Sequence, residues 1–205
     1  MSIPEVLVVP TGTANMASMI AGLERAGARS QITTDPDRVL SCDRLVLPGV
    51  GALGAAMQRL SDQGLVEALN GRLEAGRPTL AVCVGLQILC DSSAESPGVS
   101  GLGVLGGRVE RFDRSVRVPQ MGWNRVEVQN GCRLIESGFA YFANSYRLVE
   151  PPDGFYAAFS DHGGRFVAAL ERGGVLACQF HPELSGAWGL LLIKRWLEQN
   201  GGGAC

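Results

Sequence analysis

A chain of 205 residues that is 46% apolar with a formal net charge of -2 can fill one substantial α/β core, or at most two small ones. Its charges are interspersed, with no polybasic tract and no acidic tail, so neither nucleic acid nor an anionic membrane finds an electrostatic handle. The cysteines at 42, 83, 90, 132, 178 and 205 form no metal-type pairing and neither histidine lies near a CxxC, which argues against a zinc site, a metal cofactor or a disulfide scaffold.

The first apolar run ends at Pro10. It is too short to span a membrane and lacks the charged leader of a secretory signal, so a cytoplasmic protein is expected. Residues 6–9 read as a buried strand, followed by the turn Thr11-Gly12-Thr13-Ala14-Asn15 and a helix over 16–26. A short strand over 30–33 precedes Asp35-Pro36-Asp37, which opens a second helix. Residues 44–47 form a third strand, closed by Pro48-Gly49-Val50-Gly51. Helical character runs from Leu53 with a break at Gly64, and a fourth strand, 79–82, leads directly into Cys83. This alternation predicts a parallel sheet covered by helices.

The second half changes texture. Residues 123–128 alternate with period two, and 141–142, 155–159, 166–170 and 175–180 are strand-like between Gly, Pro and Asn. These predict mixed or antiparallel strands that extend the parallel core. A helix over 187–199 closes the chain, with Trp188, Leu190, Leu191, Ile193 and Leu197 inward and Lys194, Arg195 and Glu198 wet. The tail, 201–205, is expected to fray. One domain over 1–205 is expected, an α/β fold with a flavodoxin-like mixed sheet whose largely parallel core is flanked by helices.

The chemistry concentrates in Ala81-Val82-Cys83-Val84-Gly85-Leu86-Gln87. A strand turning at once into a helix exposes its first turn residue, and the N–H groups at the helix start favour negative charge beside it. That setting suits a thiolate and an oxyanion in one small volume, a nucleophile elbow built on Cys. Taken alone, a cysteine in such an apolar run is more often a buried small hydrophobe. The other cysteines read as structural or incidental, with Cys205 exposed. A nucleophile of this kind needs a base. His162, in Ser160-Asp161-His162-Gly163-Gly164, reads as an exposed loop histidine. His181 follows an apolar strand and precedes Pro182-Glu183, where a carboxylate can orient its ring toward sulfur. On its own it also fits a plain strand-end histidine.

Taken together, these motifs resemble the class I glutamine amidotransferases nearly end to end. Cys83 and Gln179-Phe180-His181-Pro182-Glu183 carry the resemblance to the class. Leu47-Pro48-Gly49-Val50-Gly51 and Met121-Gly122-Trp123-Asn124-Arg125-Val126 are similar, more specifically, to the glutaminase subunits of imidazole glycerol phosphate synthase. The resemblance implies a Cys83-His181-Glu183 triad that hydrolyses glutamine through a thioester, with an oxyanion hole at Val84 and around Val50-Gly51. It further implies that the Val50 peptide faces the wrong way at rest, so that activity stays latent until a partner and its ligand bind. Gln87, Glu95, Ser145 and Tyr146 match positions that hold glutamine. The implied partner is a TIM-barrel cyclase/synthase of histidine biosynthesis that receives the ammonia, with Asn15, Gln120, Met121, Trp123, Asn124 and Asn144 as interface or signalling residues. For Trp123 a core position at a strand start is an equal reading.

Four positions depart from the commonest pattern: Pro10 before Thr-Gly, Gln120 and Asn144 where histidine is common, and Leu184 where a basic residue is frequent. None removes the triad, but they leave the acceptor enzyme open. The same amidase chemistry serving another synthase and a non-catalytic binding subunit remain as alternatives.

Overall fold

The computed structural model describes residues 3–12 and 15–199. Thr13 and Ala14 of the predicted turn, and the tail 201–205 with Cys205, lie outside the described residues. The chain begins with β1 (Glu5–Val8) and α1 (Met16–Arg25). Asn15 starts α1, its Oδ1 accepting the Ser18 N–H at 3.2 Å. β2 (Arg29–Ile32) and α2 (Pro36–Ser41) follow, with Asp35 Oδ1 accepting from the N–H groups of Asp37 and Arg38 and Pro36 in the first turn. β3 (Leu45–Gly49) runs further than the sequence suggests, because Pro48 and Gly49 stay in register with Val82 and Cys83. α3 (Leu53–Asp62) and α4 (Val66–Glu74) are separated at Gly64, whose φ of 68° suits glycine. β4 (Thr79–Cys83) then passes without a loop into α5 (Val84–Ile88).

The remaining strands are β5 (Ser92–Ser93), β6 (Arg108–Arg111), β7 (Gln120–Val128), β8 (Gly138–Asn144), β9 (Tyr146–Leu148), β10 (Tyr156–Asp161), β11 (Arg165–Arg172) and β12 (Val175–Cys178). A short 3₁₀ turn, Pro182–Leu184, precedes α6 (Gly186–Glu198). One sheet of nine strands has the order β2-β1-β3-β4-β12-β11-β10-β7-β8. Its pairs from β2 to β12 are parallel and those beyond are antiparallel. The order 2-1-3-4 is that of flavodoxin-like doubly wound sheets, as expected. A second sheet, β5-β6-β9, was not foreseen; strands of two to four residues carry too few side chains to show a period.

α1 touches α6, while α2 packs on α4 and α3 on α5, and right-handed crossovers put α1 on the face of the parallel half opposite α2 to α4. α6 is rotated from its predicted facing. It buries Gly189, Leu192, Ile193, Trp196 and Leu197, while Leu191 is 52% exposed. Arg195 is half-buried rather than wet, donating to the Leu134 carbonyl at 2.6 Å and pairing with Glu136. Trp188 packs instead over Phe180, ring centroids 5.3 Å apart, and against Gly138. No helix among the described residues is long and apolar enough to cross a membrane.

The far end of the sheet, at the entry to its parallel strands, is tied by a fully buried arginine on α4. Arg72 donates to the carbonyls of Val39, Cys42, Asp43 and Pro78 and to Thr79 Oγ1. Burial lowers its pKa to about 10, which still leaves it cationic at neutral pH. In the antiparallel half, Glu171 does a similar job with opposite sign, its carboxylate taking the N–H groups of Arg133, Leu134 and Ile135. Replacing Arg72 with Ala should remove about 3 kcal/mol of stability, because several buried acceptors lose their donor at once. Urea denaturation of the two proteins measures it, and a loss under about 1 kcal/mol would mean that water takes over those carbonyls.

Candidate active site

The elbow forms because β4 is buried along its whole length and paired in parallel on both sides, by β3 and β12. Cys83 ends that strand opposite Gly49. Its φ of 56° and ψ of -109° make it the only residue other than glycine with positive φ among those described. A strained backbone of this sort costs on the order of 1–3 kcal/mol and persists only where its surroundings hold it. Here they do. A Cβ on Gly85 would lie 2.0 Å from the Leu47 carbonyl oxygen, and one on Gly49 would lie 2.8 Å from the Val84 side chain. Only glycine lets α5 press against β3 that closely. The sulfur is left nearly enclosed, with Cys83 4% exposed, at the carboxyl edge of the strands where doubly wound sheets place their sites.

His181 comes from the adjoining strand end. Its N–H donates to the Tyr141 carbonyl at 2.9 Å. Ser185 clamps it from behind, donating from Oγ to the His181 carbonyl at 2.6 Å and accepting the Tyr141 N–H at 2.9 Å. The 3₁₀ turn that starts at Pro182 folds Glu183 back, and Glu183 Oε1 meets His181 Nδ1 at 2.9 Å. Gly22 of α1 makes room for this turn, since a Cβ there would lie 2.8 Å from that of Glu183. Arg25, also on α1, donates to the Glu183 carbonyl at 3.2 Å. The imidazole also lies close enough to Cys83 for the two to interact electrostatically. Burial disfavours the His181 cation, but the hydrogen bonds and charges of Cys83 and Glu183 outweigh it and raise its pKa to about 10. The three predicted triad residues are thus brought together as thiol, imidazole and carboxylate in sequence.

Val84 opens α5 immediately after Cys83. Val50 and Gly51 follow β3, and Gly51 has φ 89°. Val50 lines a crevice with Asn15, Pro48, Gly49, His181 and Glu183 that encloses about 10 Å³, room on the order of one water molecule. Gln87 is buried, its Nε2 donating to Gln179 Oε1 at 3.1 Å. Glu95 is half-buried, and its carboxyl faces the backbone of Leu53 at the start of α3; partial burial raises its pKa. Beside it Ser96 Oγ accepts the Gly54 N–H at 2.9 Å, so α3, which has no cap of its own, is capped from the loop after β5. Ser145 and Tyr146 are half-buried at the junction of β8 and β9.

Among the residues matched to an interface, Met121 and Trp123 are 68% and 58% exposed, which removes the core reading of Trp123. Its ring stands edge-on to Tyr141 and reaches Gly186. Asn124 is tied to the Asp161 carbonyl at 2.7 Å. Gln120 and Asn144 face each other across β7 and β8, both buried, each with a carboxamide oxygen lacking a partner. His162 is half-buried rather than exposed. It hydrogen-bonds the Arg117 carbonyl and stands edge-on to Phe112, away from the triad. Cys90 and Cys178 are buried, with pKa values raised by that burial, as expected of structural thiols. Among the described residues no group of three or more His, Cys, Asp or Glu could hold a metal ion. Sequence reading missed Ser185, Gly22 and the contact of Gln179 with the sulfur. Only Gln179 carried a signal, as a carboxamide closing an apolar run.

Comparison with known proteins places the chain in a family. The family described as Glutamine amidotransferase class-I matches residues 13–195. A relative from Methanothermobacter thermautotrophicus, "Imidazole glycerol phosphate synthase subunit HisH", is 39% identical over 94% of this chain and 98% of its own. "Imidazole glycerol phosphate synthase hisHF, chloroplastic" from Arabidopsis thaliana is 38% identical over 94% of this chain but only 34% of its own length. Among solved structures, "Crystal structure of glutamine amidotransferase" superposes with a TM-score of 0.76 at 22% identity, covering 94% of this chain and 97% of that one.

The His181 pKa of about 10 against an ordinary 6.5 has a consequence for stability. A raised pKa means the folded state holds the proton more tightly than the unfolded chain. Its contribution is therefore complete below pH 6.5 and is withdrawn as pH climbs toward 10. Glu183→Gln removes one of the charges that hold the proton, so the variant should lose less stability across that window than the wild type. Urea midpoints taken at each pH test this; parallel curves would take the carboxylate out of the account.

Proposed function

This chain belongs to the class-I glutamine amidotransferases, and among them to the HisH subunits of imidazole glycerol phosphate synthase, and we propose how its residues do that work. It hydrolyses glutamine to glutamate and ammonia, and the ammonia serves imidazole glycerol phosphate synthesis in the histidine pathway. The observation that supports the assignment of roles is the strained Cys83 elbow beside an imidazole that Glu183 holds. The Cys83 thiolate attacks the side-chain amide carbon, and the carbonyl electrons move onto oxygen. As the tetrahedral adduct collapses, His181 protonates the departing nitrogen and ammonia leaves a glutamyl thioester. His181, now neutral, takes a proton from water, which attacks the thioester; collapse returns the electron pair to sulfur and frees glutamate. Glu183 keeps the imidazole oriented and supports its cationic form.

The oxyanion that forms twice in this cycle needs donors. The Val84 N–H and the Val50-Gly51 loop are assigned that role, with Gln87, Glu95, Ser145 and Tyr146 holding the glutamine. If the Val50 peptide is turned away at rest, one donor is missing, a deficit on the order of a hundredfold in rate.

Free ammonia is protonated in water and loses its nucleophilicity, so it must pass directly to an acceptor. The partner assigned here is a TIM-barrel cyclase/synthase docked over the carboxyl edge of the sheet. The Arabidopsis relative supports this, because two-thirds of its length lies beyond the part that this chain matches. Exposed Met121, Trp123 and Leu184 supply apolar contact area, and Asn15, Gln120, Asn124 and Asn144 carry the signal between sites.

Glutamine hydrolysis by the full chain, with and without the cyclase and its nucleotide, tests this reading. Activity should rise on the order of a hundredfold or more in the complex and vanish in Cys83→Ala. Full activity without the cyclase would sink the latent oxyanion hole. Trp123→Ala should weaken association by about thirtyfold, the scale of an aromatic hot spot, while leaving glutaminase kcat at saturating cyclase close to wild type.

A further inference from the structure

Beside the nucleophile lies a polar chain that the triad chemistry leaves unused. Gln179 directly follows β12 and is 0% exposed. Its Nε2 donates to Cys83 Sγ at 3.7 Å, and its Oε1 accepts from Gln87 Nε2 at 3.1 Å. Gln87 is 3% exposed, and its own Oε1 has no partner. The backbone holds Gln179 in place, its N–H donating to the Ala168 carbonyl at 2.8 Å on β11. A buried carboxamide is costly unless its groups are used. Here one end is spent on sulfur and the other on the one side chain of α5 that can hydrogen-bond.

We propose that Gln179 is a positioning residue of the glutaminase site, holding the Cys83 sulfur as an anion and turning the free carbonyl of Gln87 toward the incoming amide. This rests on the reading of Cys83 as nucleophile. An N–H aimed at sulfur favours the thiolate, because an anion is the stronger acceptor. The other ionisable groups around the sulfur are few. His181 interacts with it and Glu183 stands behind His181; Cys178 is buried near Glu183, and Arg25 of α1 is engaged with the Glu183 carbonyl. β3, β4 and α5 contribute no ionisable side chain apart from Cys83 itself, and Arg59 of α3 lies against Gly12. In acylation the sulfur lone pair becomes the S–C bond, and the N–H contact weakens. When the hydrated thioester collapses, the C–S bond breaks and its electron pair returns to sulfur, where the Gln179 N–H receives it. Gln179 therefore bears on thiolate formation and on deacylation through sulfur, and on substrate affinity through Gln87.

Two variants separate these jobs. Gln179→Met keeps the volume but removes both polar groups. Gln179→Glu keeps an acceptor for Gln87 but replaces the donor with a carboxylate. The readouts are the pH dependence of iodoacetamide labelling at the Cys83 peptide of the full chain, by mass spectrometry, and glutaminase kcat and KM in the complex with the cyclase. In Gln179→Met the labelling midpoint should rise by about one pH unit, with kcat down about tenfold and KM raised severalfold. In Gln179→Glu the midpoint should rise further while KM stays near wild type. Labelling curves that coincide with wild type in a folded variant overturn the proposal, and Gln179→Glu decides alone if the Met variant does not fold. Residual glutaminase activity in Cys83→Ala would instead strike the nucleophile reading, so the two failures are distinguishable.

Discussion

Everything at the site depends on one unfavourable backbone conformation held in place by close packing. Cys83 sits in the left-handed region because β4 must stop and α5 must start at the same residue. No loop relieves the turn. The strain is carried by parallel pairing on both sides of β4 and by the approach of α5 to β3, which the missing side chain of Gly85 permits. The gain is a sulfur that stands at a helix start, nearly enclosed, with backbone N–H groups beside it. Low local dielectric then strengthens whatever polar groups are aimed there.

What is aimed there comes from the place where the sheet changes direction. β12 pairs in parallel with β4 and antiparallel with β11. Its register sets Cys178 beside Val82, so the next residues, Gln179 to His181, pass alongside the elbow. The main chain of His181 is then held from the antiparallel half, through Tyr141 and Ser185, while the main chain of Glu183 is held from α1, through Gly22 and Arg25. The triad thus spans the seam between the two halves of the fold. A shift of one half against the other would move base and nucleophile apart. That makes the seam a natural place for a bound partner to act.

The elements of the parallel half were legible because each carries a strong local signal: Asp35-Pro36 at a helix start, Gly64 at a break, and apolar runs of strand length. β7 was legible from its alternation. α6 was legible as a helix but not in its facing. Leu190, Leu191 and Trp188 are as apolar as Leu192 and Trp196, and only the packing against the sheet selects among them. The β5-β6-β9 sheet left no trace, since its pairings join segments far apart in the chain and too short to show a pattern. Gln120 and Asn144 read as interface or signalling residues from the resemblance, and only the tertiary structure shows that they are buried cross-strand partners.

The amino-acid order alone determined the reactive types and their local settings: a cysteine between a strand and a helix, and a histidine restrained by Pro182 with a carboxylate two residues on. It also determined the family, since those motifs occur in the right succession. Local sequence can do this because turn, cap and strain are governed by neighbours. Tertiary structure alone decided that Cys83 meets His181, that Gln179 touches the same sulfur, and that Ser185 and Gly22 support the arrangement. Those contacts join residues remote in the chain, and their free energy depends on the register of paired strands and the exclusion of water. The elbow marks Cys83 as able to react; the packed seam around it supplies the groups that let it do so.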